Sequence, residues 1–486
     1  MKLSELLKST ECVRAFDINL DTEIASVVFD ENEIRENSAF VFFRSSSDGA
    51  EELVERIEAK DPALIISESE IKWKRRKNLV YVQDARRAFA EIMIRFHSID
   101  LEKIKFVAVT GTNGKTTTAH MIRAILREAK KRVGFIGTGS AIIGDRIISE
   151  ENYSMTTPDP DLLYRWIKEM QTEGCEYVIM EVSSHALSYR KVSPISFEVS
   201  VFTNLSAEHL DFHKSMNEYF SAKMKLFDQS KSGVFNCDDE YSKRASEIFQ
   251  KSSVTVGIEG TADAMARCIA TDPLCGTEYI FEDAKGSCEI KINLPGVYNV
   301  YNSLCAIAAC RILGIDAQTM QKALRSFSGV RGRFEVVSKA PWVIIDYAHT
   351  PEAMSSLLFY LYSVKKPRQK LISVFGCGGN RDRSKRPLMA IASEKYATLS
   401  IVTSDNSRGE IPEEIIKEIV CGFSKSAEYK MITDRARAIE YALSIANKDD
   451  VIAIIGKGAE TYNIDKNGYH YFDERKIISD AIRKRG

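Results

Sequence analysis

The chain has 486 residues, 44 % of them hydrophobic and 28 % charged, with 67 Lys and Arg against 68 Asp and Glu. That length suits about three domains, each large enough to bury a core, and excludes a single small one. The balanced charge argues against a surface for nucleic acid or another polyanion, and no run approaches the roughly 18 apolar residues of a membrane span, so neither nucleic-acid binding nor membrane insertion is expected. The start, Met1-Lys-Leu-Ser-Glu5, carries charge where a signal peptide has an apolar run, and the expected location is the cytoplasm. Ten cysteines run from Cys12 to Cys421 without a C-x-x-C pair. They read as buried apolar filler in a reducing compartment rather than as a disulfide frame or a zinc site.

In chain order, the runs Ala39-Phe-Val-Phe-Phe43 and Ala63-Leu-Ile-Ile66 alternate with charged helical stretches and close in a helix over Ala88 to His97, which predicts a small α/β domain over 1–98. After Ser98-Ile-Asp100, the run Phe106-Val-Ala-Val109 reads as a strand, followed by a Gly/Thr turn and a helix around Met121 to Ala129. Tyr177-Val-Ile-Met180 and Val199 to Phe202 continue a central domain over 99–331. A boundary near Gly329 to Gly332 opens a third domain, 332–486, with the runs Val343-Ile-Ile345, Leu371 to Phe375, Ile401-Val-Thr403 and Val451 to Ile455. These runs are short, β-branched and separated by helix-like sequence, the mark of mainly parallel α/β sheets. Polar or glycine residues follow them directly, at Gly111, Glu181, Asn204, Asp346, Gly376, Asp405 and Gly456, and open α/β sheets bind ligands beyond the carboxyl ends of their strands.

The sharpest local motif is Thr110-Gly-Thr-Asn-Gly-Lys-Thr116, between a strand and a helix. Its backbone N–H groups and the helix N-terminus suit phosphate, Lys115 is spaced to reach the β- and γ-phosphates, and the Thr116 hydroxyl is spaced to ligate Mg²⁺. Val109 stands where the general pattern has its first glycine, so the loop is a shortened form. A kinase, a GTPase and an ATP-dependent ligase all use such a loop.

Further motifs choose among these. Thr110-Gly-Thr-Asn-Gly-Lys-Thr-Thr-Thr118, Thr156-Thr-Pro158, Glu181-Val-Ser-Ser-His185, Thr203-Asn-Leu205, Glu208-His-Leu-Asp-Phe-His213 and Lys223-Met-Lys-Leu-Phe227 occur in this order. They are followed by Gly296-Val-Tyr-Asn-Val-Tyr-Asn302, Gly332-Arg-Phe-Glu335, Asp346-Tyr-Ala-His349, Phe375-Gly-Cys-Gly-Gly-Asn-Arg-Asp382, Lys385-Arg-Pro387, Asp405-Asn-Ser-Arg408 and Gly456-Lys-Gly458. Together these resemble the Mur ligase family. The resemblance implies an α/β protein of three domains, with a P-loop central domain and a Rossmann-like C-terminal domain. It further implies a monomeric, ATP-dependent amide ligase that adds the third amino acid to UDP-N-acetylmuramoyl-L-alanyl-D-glutamate in peptidoglycan synthesis. In that chemistry ATP phosphorylates the carboxylate, the incoming amine attacks the acyl phosphate, and phosphate leaves.

By the same resemblance, Gly111, Thr112, Asn113, Gly114, Lys115, Thr116 and Thr117 hold ATP, with Asn299 at the adenine and Arg333 and Asp346 closing from the C-terminal side. Thr116, Glu181, His209 and Lys223 are the implied Mg²⁺ group, Lys223 as the lysine that takes up CO₂ to become a carbamate. His185, His209 and His213, three of the seven histidines, cluster in this short region. On a helix Lys223 shares a face with Phe227 whereas Lys225 points away, so Lys225 is expected in solvent. Thr156, Thr157, Ser183 and Arg190 resemble groups that hold the muramoyl peptide; a local backbone hydrogen bond is the competing reading of Ser183. Arg381, Asp405, Asn406, Arg408, Gly456 and Glu460 are the implied amino-acid pocket. Arg408, whose planar fork takes a carboxylate bidentately, points to meso-diaminopimelate, although Ser407 replaces the usual proline and Ala459 the usual histidine. The alternatives are L-lysine or another amino acid, with Arg408 merely pairing with Glu410.

The N-terminal stretch departs from the family. Asp30-Glu-Asn32 and Asp48-Gly-Ala50 stand where it has Asp-Ser-Arg and Asp-Gly-His, with a shortened segment over Arg44 to Ser47. A ligase for a carboxylate substrate that carries no UDP stays open on that ground. A non-catalytic scaffold is expected to have lost some of Lys115, Glu181, His209 and Lys223, and all four are present.

Overall fold

The computed structural model describes every residue except 9, 44–49, 69–72, 75–76, 150–152, 154, 209, 273–275 and 486. His209, Asp48 and the Arg44 to Ser47 segment therefore lie outside the described residues. Among those described, a five-stranded sheet is followed by an eleven-stranded, a six-stranded and a two-stranded one.

The first sheet orders Cys12–Phe16, Leu79–Val82, Leu64–Ser67, Ser38–Phe42 and Ser26–Val28, antiparallel only at the first pairing. The helix Ala85–Phe96 covers it, started by Asp84, whose carboxylate accepts the Arg87 N–H at 2.9 Å. Asp30 and Glu31 are used locally: Asp30 accepts the Asn32 N–H at 2.8 Å, and Glu31 pairs with Arg56 at 3.0 Å.

The second sheet is parallel through its middle. Lys105–Thr110 lies between Phe197–Phe202 and Tyr177–Glu181, and Ser230–Asn236, Ser252–Gly257 and Val133–Gly137 extend it on either side. Alternation along the central strand explains its burial on both faces. Phe106 and Ala108 join one apolar cluster, and Val107 and Val109 join the opposite one with the helices Lys115–Glu128 and Val297–Ile312. The first of these clusters also contains Leu3, Val41, Leu64 and Phe89 of the N-terminal sheet and its helix, so the N-terminal and central parts share one core. The antiparallel strands Ala264–Asp272, Gly276–Asp283 and Gly286–Ile292 close one edge. The two flanking strands of this set, Ala264–Asp272 and Gly286–Ile292, are largely exposed and polar over one half, so no long apolar run marks them in the sequence.

The third sheet orders Glu335–Lys339, Trp342–Asp346, Val451–Ile455, Leu371–Phe375, Leu399–Val402 and Tyr429–Met431, parallel except for its first strand. Its two faces carry separate apolar clusters, one under the helices Pro351–Val364, Lys385–Glu394 and Pro412–Val420, the other under Arg435–Ile445 and Glu474–Arg485. This is the doubly wound arrangement expected of the α/β reading. Gly332, at φ 70°, lets the entering chain touch the segment after Val451–Ile455: a Cβ there would lie 2.1 Å from the Ala459 nitrogen.

The expectation that the cysteines are buried filler holds only in part. Cys175, Cys305, Cys310 and Cys377 are buried, but Cys12 on an edge strand, Cys268 on a half-exposed strand and Cys421 at a helix end are exposed.

Candidate functional site

Sheet register assembles the site. Phe202 pairs with Thr110 and Glu181 with Val109, so three neighbouring strands end level and present Gly111, Glu181 and Thr203 at one edge. Gly111 has φ 142°, and a Cβ there would meet Thr203 Oγ1 at 2.0 Å; Gly114, at φ 83°, caps the helix Lys115–Glu128, and a Cβ there would meet Asn302 Oδ1 at 2.3 Å. Both positions require glycine. The Asn204 carbonyl accepts the Thr112 N–H at 2.9 Å and its side-chain oxygen accepts the Asn113 N–H at 2.9 Å. Thr112 and Asn113 therefore shape the loop, and the donors offered to a phosphate are the first-turn N–H groups of Lys115, Thr116 and Thr117, which an α-helix leaves without internal acceptors. Lys115 folds back on this loop, donating to Gly111 O at 3.0 Å and Thr112 O at 2.9 Å. Burial pulls its ammonium down, against the opposing charges of Glu208 and Glu181.

Glu181 is fully buried at its strand end. It accepts the Thr116 hydroxyl at 2.9 Å, the Thr138 N–H at 3.0 Å and the Thr138 hydroxyl at 3.1 Å, and Thr156 Oγ1 lies 3.1 Å from that of Thr138. The Thr116 hydroxyl and the Glu181 carboxylate are hard oxygen donors beside a phosphate loop, a set that fits Mg²⁺. Among the described residues no group of three His, Cys, Asp or Glu is gathered to hold a metal, and His209 lies outside them.

Lys223 reaches the same loop from the helix Met216–Asp228, donating to Gly111 O at 3.1 Å beside the Tyr219 ring at 4.6 Å. It is 1 % exposed, and burial first, then the charge of Lys115, lowers its pKa well below the usual lysine range. Lys225 is exposed.

The residues expected around the muramoyl peptide divide. The Thr157 hydroxyl donates to Glu181 O at 2.9 Å and accepts the Ser183 N–H at 3.1 Å, so it braces the strand end. Ser183 caps the short helix Ser184–Ser188 by accepting the Ala186 N–H at 3.2 Å, which is the local hydrogen bond of its competing reading. Arg190, at φ 53°, pairs with Asp84 of the N-terminal domain at 2.5 Å.

Between the central and C-terminal domains lies a cavity of about 330 Å³ lined by Asn113, Gly114, Thr117, Asn299, Arg333 and Asp346, among others. Asn299 is held by Pro295 O at 2.8 Å and Asn302 at 3.1 Å. Arg333 crosses the gap, donating to the Thr116 hydroxyl at 3.2 Å and lying 4.3 Å over the Tyr347 ring. Asp346 accepts the Phe334 and Ala348 N–H groups at 2.6 and 2.8 Å, and burial pushes its carboxyl up against the pull of Arg333. His349 meets Glu208 at 2.9 Å across the same gap.

A second polar cluster forms where Leu371–Phe375, Leu399–Val402 and Val451–Ile455 end. Asn406 donates to Glu460 at 2.8 Å and accepts from Lys457 at 2.9 Å and from the Ile464 N–H at 3.0 Å. Gly456, at φ 120°, leaves room for Asp405, whose Oδ2 would lie 2.8 Å from a Cβ there. Burial alone would raise Asp405, but Lys457, Arg435 and Arg408 outweigh it and hold the carboxyl low, whereas Glu460 is raised by burial with Asp405 near it. Arg408 donates to Gly379 O and Asn406 O, both at 3.1 Å, and with the exposed Arg381 flanks Gly378. Its expected competitor, Glu410, is engaged elsewhere: it pairs with the buried Arg386 at 2.9 Å, which with the Asn380 N–H holds its pKa down to about 2.

Sequence reasoning did not assign Thr138, Glu208 or Lys457 to the site, nor the loop-shaping role to Asn204. Asn204 and Lys457 obey the strand-end rule, whereas Thr138 follows Val133–Gly137, a strand whose two glycines dilute the β-branched signal.

A P-loop at the end of a central parallel strand, facing a second doubly wound sheet with its own polar cluster at the strand ends, is the arrangement of a nucleotide-dependent ligase. The chain belongs to the Mur ligase family: residues 109–310 match the Mur ligase middle domain and residues 332–458 the Mur ligase, glutamate ligase domain. It is similar to the UDP-N-acetylmuramoyl-L-alanyl-D-glutamate--2,6-diaminopimelate ligase of Caldanaerobacter subterraneus subsp. tengcongensis, 39 % identical over 486 residues that cover 99 % of each chain. It is also similar to the protein of that name from Clostridioides difficile, 38 % identical over 495 aligned positions covering 100 % of each. A solved structure of a ligase of that name superposes with a TM-score of 0.68 at 28 % identity, over 100 % of this chain and 99 % of the other.

Proposed function

We infer that this chain is an ATP-dependent peptide ligase that joins meso-diaminopimelate to the D-glutamyl carboxylate of UDP-N-acetylmuramoyl-L-alanyl-D-glutamate, extending the peptidoglycan precursor. The observation that carries the reading is the level ending of the strands Lys105–Thr110, Tyr177–Glu181 and Phe197–Phe202, which sets the phosphate loop, Glu181 and Lys223 on one reaction centre. The full-length similarity to relatives named for this substrate pair supports the substrates, and it includes the N-terminal stretch where the motifs depart.

The chemistry follows from that centre. A carboxylate resists amines because its oxygens leave poorly, so ATP first converts it to an acyl phosphate; the amine then attacks and phosphate departs. The first-turn N–H groups of Lys115 to Thr117 and the Lys115 ammonium, freed from Gly111 O and Thr112 O, hold the γ-phosphoryl in line and offset its charge. Thr116 and Glu181, with His209 and Lys223, would hold Mg²⁺, which when bound supplies positive charge to the transferring phosphoryl group. Burial favours the neutral Lys223 amine, which is a nucleophile for CO₂: its nitrogen bonds the carbon, gives up a proton to solvent and becomes an anionic carbamate. Asn299, Arg333 and Asp346 enclose the nucleotide, and Thr156, Thr157, Ser183 and Arg190 border the UDP-peptide. Arg381, Asp405, Asn406, Arg408, Gly456 and Glu460 form the amino-acid pocket, where Arg408 takes the distal carboxylate. The protein then works as a cytoplasmic monomer of three domains, 1–98 for the UDP-substrate, 99–331 for ATP and 332–486 for the amino acid; among the described residues no helix is long and apolar enough to cross a membrane.

The test is phosphate release from ATP with UDP-N-acetylmuramoyl-dipeptide and a panel of meso-diaminopimelate, L-lysine and L-ornithine. Release that requires the dipeptide and has the highest kcat/KM with meso-diaminopimelate is expected. A higher kcat/KM with L-lysine overturns the amino acid, and turnover with other carboxylates alone overturns the UDP substrate.

A further inference from the structure

Lys457 follows the strand Val451–Ile455 and is fully buried. An unpaired ammonium there would be costly, and among the described residues it is paired with groups of the amino-acid pocket. Its Nζ donates to Asn406 Oδ1 at 2.9 Å and pairs with Glu460 Oε2 at 3.4 Å and Asp405 Oδ1 at 3.6 Å. The rings of Tyr462 and Phe472 wall it in at 5.8 and 5.9 Å. Since it has no exposed surface, Lys457 acts on a ligand only through these three partners.

Each contact constrains one face of the pocket. By donating to Asn406 Oδ1, Lys457 joins the Ile464 N–H in turning the Asn406 amide so that its NH₂ meets Glu460 at 2.8 Å. By pairing with both Asp405 and Glu460, it lets two buried carboxylates sit in one small space, which like charges would otherwise resist. Arg435, the other buried cation nearby, is committed to Glu474 at 2.7 Å and to Ile455 O at 2.9 Å. A carboxylate held in this way is the complement of an incoming ammonium, as the Arg408 fork is of a carboxylate.

We propose that Lys457 is the positioning residue of the amino-acid pocket, setting Glu460 and Asn406 where they receive the zwitterionic head of the incoming amino acid. This rests on the pocket assignment made above. Burial and the neighbouring Asp405 act to raise Glu460 while Lys457 opposes them, which accords with that geometry.

The experiment measures KM for meso-diaminopimelate, ATP and UDP-N-acetylmuramoyl-dipeptide in the full-length enzyme, its Lys457→Met variant and the double variant Lys457→Met/Asp405→Asn, which folds without an unpaired Asp405 charge. Lys457→Met is expected to raise KM for meso-diaminopimelate about 20-fold, while kcat and the other two KM values stay within about threefold. The double variant is expected to keep most of that rise, because Glu460 still lacks its cation. An unchanged KM for the amino acid, a parallel shift of all three KM values, or a wild-type KM in the double variant overturns the proposal. Wild-type enzyme that releases no phosphate with meso-diaminopimelate fails the underlying reading instead, before any variant is compared.

Discussion

Two lysines share one acceptor. Lys115 and Lys223 both donate to Gly111 O, at 3.0 and 3.1 Å, and two ammonium groups so placed would repel strongly in a buried site. Burial lowers both, but Lys223 yields further: Lys115 adds to the effect of burial on it and Glu208 alone opposes, whereas Glu208 and Glu181 both oppose the burial of Lys115. The sign matters for the chemistry: a lowered pKa raises the fraction of free amine, the form that attacks CO₂, above that of an ordinary lysine, which offers it only towards pH ~10. Wild-type activity after CO₂ depletion is therefore expected to rise on adding bicarbonate at pH 7.5, and Lys223→Ala is expected to lose about 100-fold or more in kcat, roughly 3 kcal/mol, with no bicarbonate response. A Lys223→Ala enzyme of normal turnover would sink the carbamate. In the other pocket, Arg408 is tethered by two carbonyls but carries no carboxylate partner among its described hydrogen bonds. Arg408→Ala is expected to raise KM for meso-diaminopimelate about 10- to 100-fold through the lost bidentate pair, and to erode selectivity over L-lysine. Equal KM effects on both amino acids would remove Arg408 from the distal carboxylate.

Strand ends need bracing where so many loops converge. In the C-terminal sheet Arg435, at the start of the helix Arg435–Ile445, joins Glu474, at the start of the last helix, and reaches Ser404 O at 3.3 Å and Ile455 O at 2.9 Å. One fully buried ion pair thus ties two helices to the ends of two strands that carry Asp405 and Gly456. Removing one partner leaves the other charge buried and alone, so Arg435→Ala is expected to destabilise the protein by about 3–5 kcal/mol, read as a fall in denaturant midpoint. The double apolar variant Arg435→Met/Glu474→Leu is expected to recover most of that loss, since no buried charge is left unpaired. If the single variant costs under about 1 kcal/mol, the pair is not what holds these loops.

The domains are joined unequally. One continuous core contains Leu64 and Phe89 of the N-terminal domain with Phe106, Trp166 and Phe202 of the central one, and Arg190 pairs with Asp84 across the same boundary. The C-terminal sheet has cores of its own, and its links to the central domain are sparser: the polar contacts of Arg333 with Thr116 and of His349 with Glu208, and the Tyr298 ring packed on one of those cores 6.5 Å from the Tyr360 ring. A domain cooperates with its neighbour to the extent that they share apolar burial. Calorimetry is expected to resolve two transitions, one for the N-terminal and central domains together and one for the C-terminal domain. A non-hydrolysable ATP analogue, bound between Asn299 and Arg333, is expected to draw the two together. A separate N-terminal transition would contradict the shared core.

Much of this was readable along the chain. The phosphate loop is contiguous, so its glycines, Lys115 and Thr116 declare themselves by spacing, and the strand-end positions Glu181, Asp346, Asp405 and Gly456 follow from runs of β-branched residues that must be buried on both faces. Local order sufficed because each feature is made by neighbours in sequence. Partners were another matter. That Asn204 takes the loop's N–H groups, that Thr138 and Thr116 share Glu181, that Arg190 answers Asp84, and that Lys457 lies beneath Asn406 and Glu460 all depend on tertiary packing. Strand order and register bring together residues separated by tens or hundreds of positions, and a hydrogen bond is decided within a few tenths of an ångström. Local patterning thus determined which residues end each strand, while the tertiary packing of those strands decided which side chains meet there.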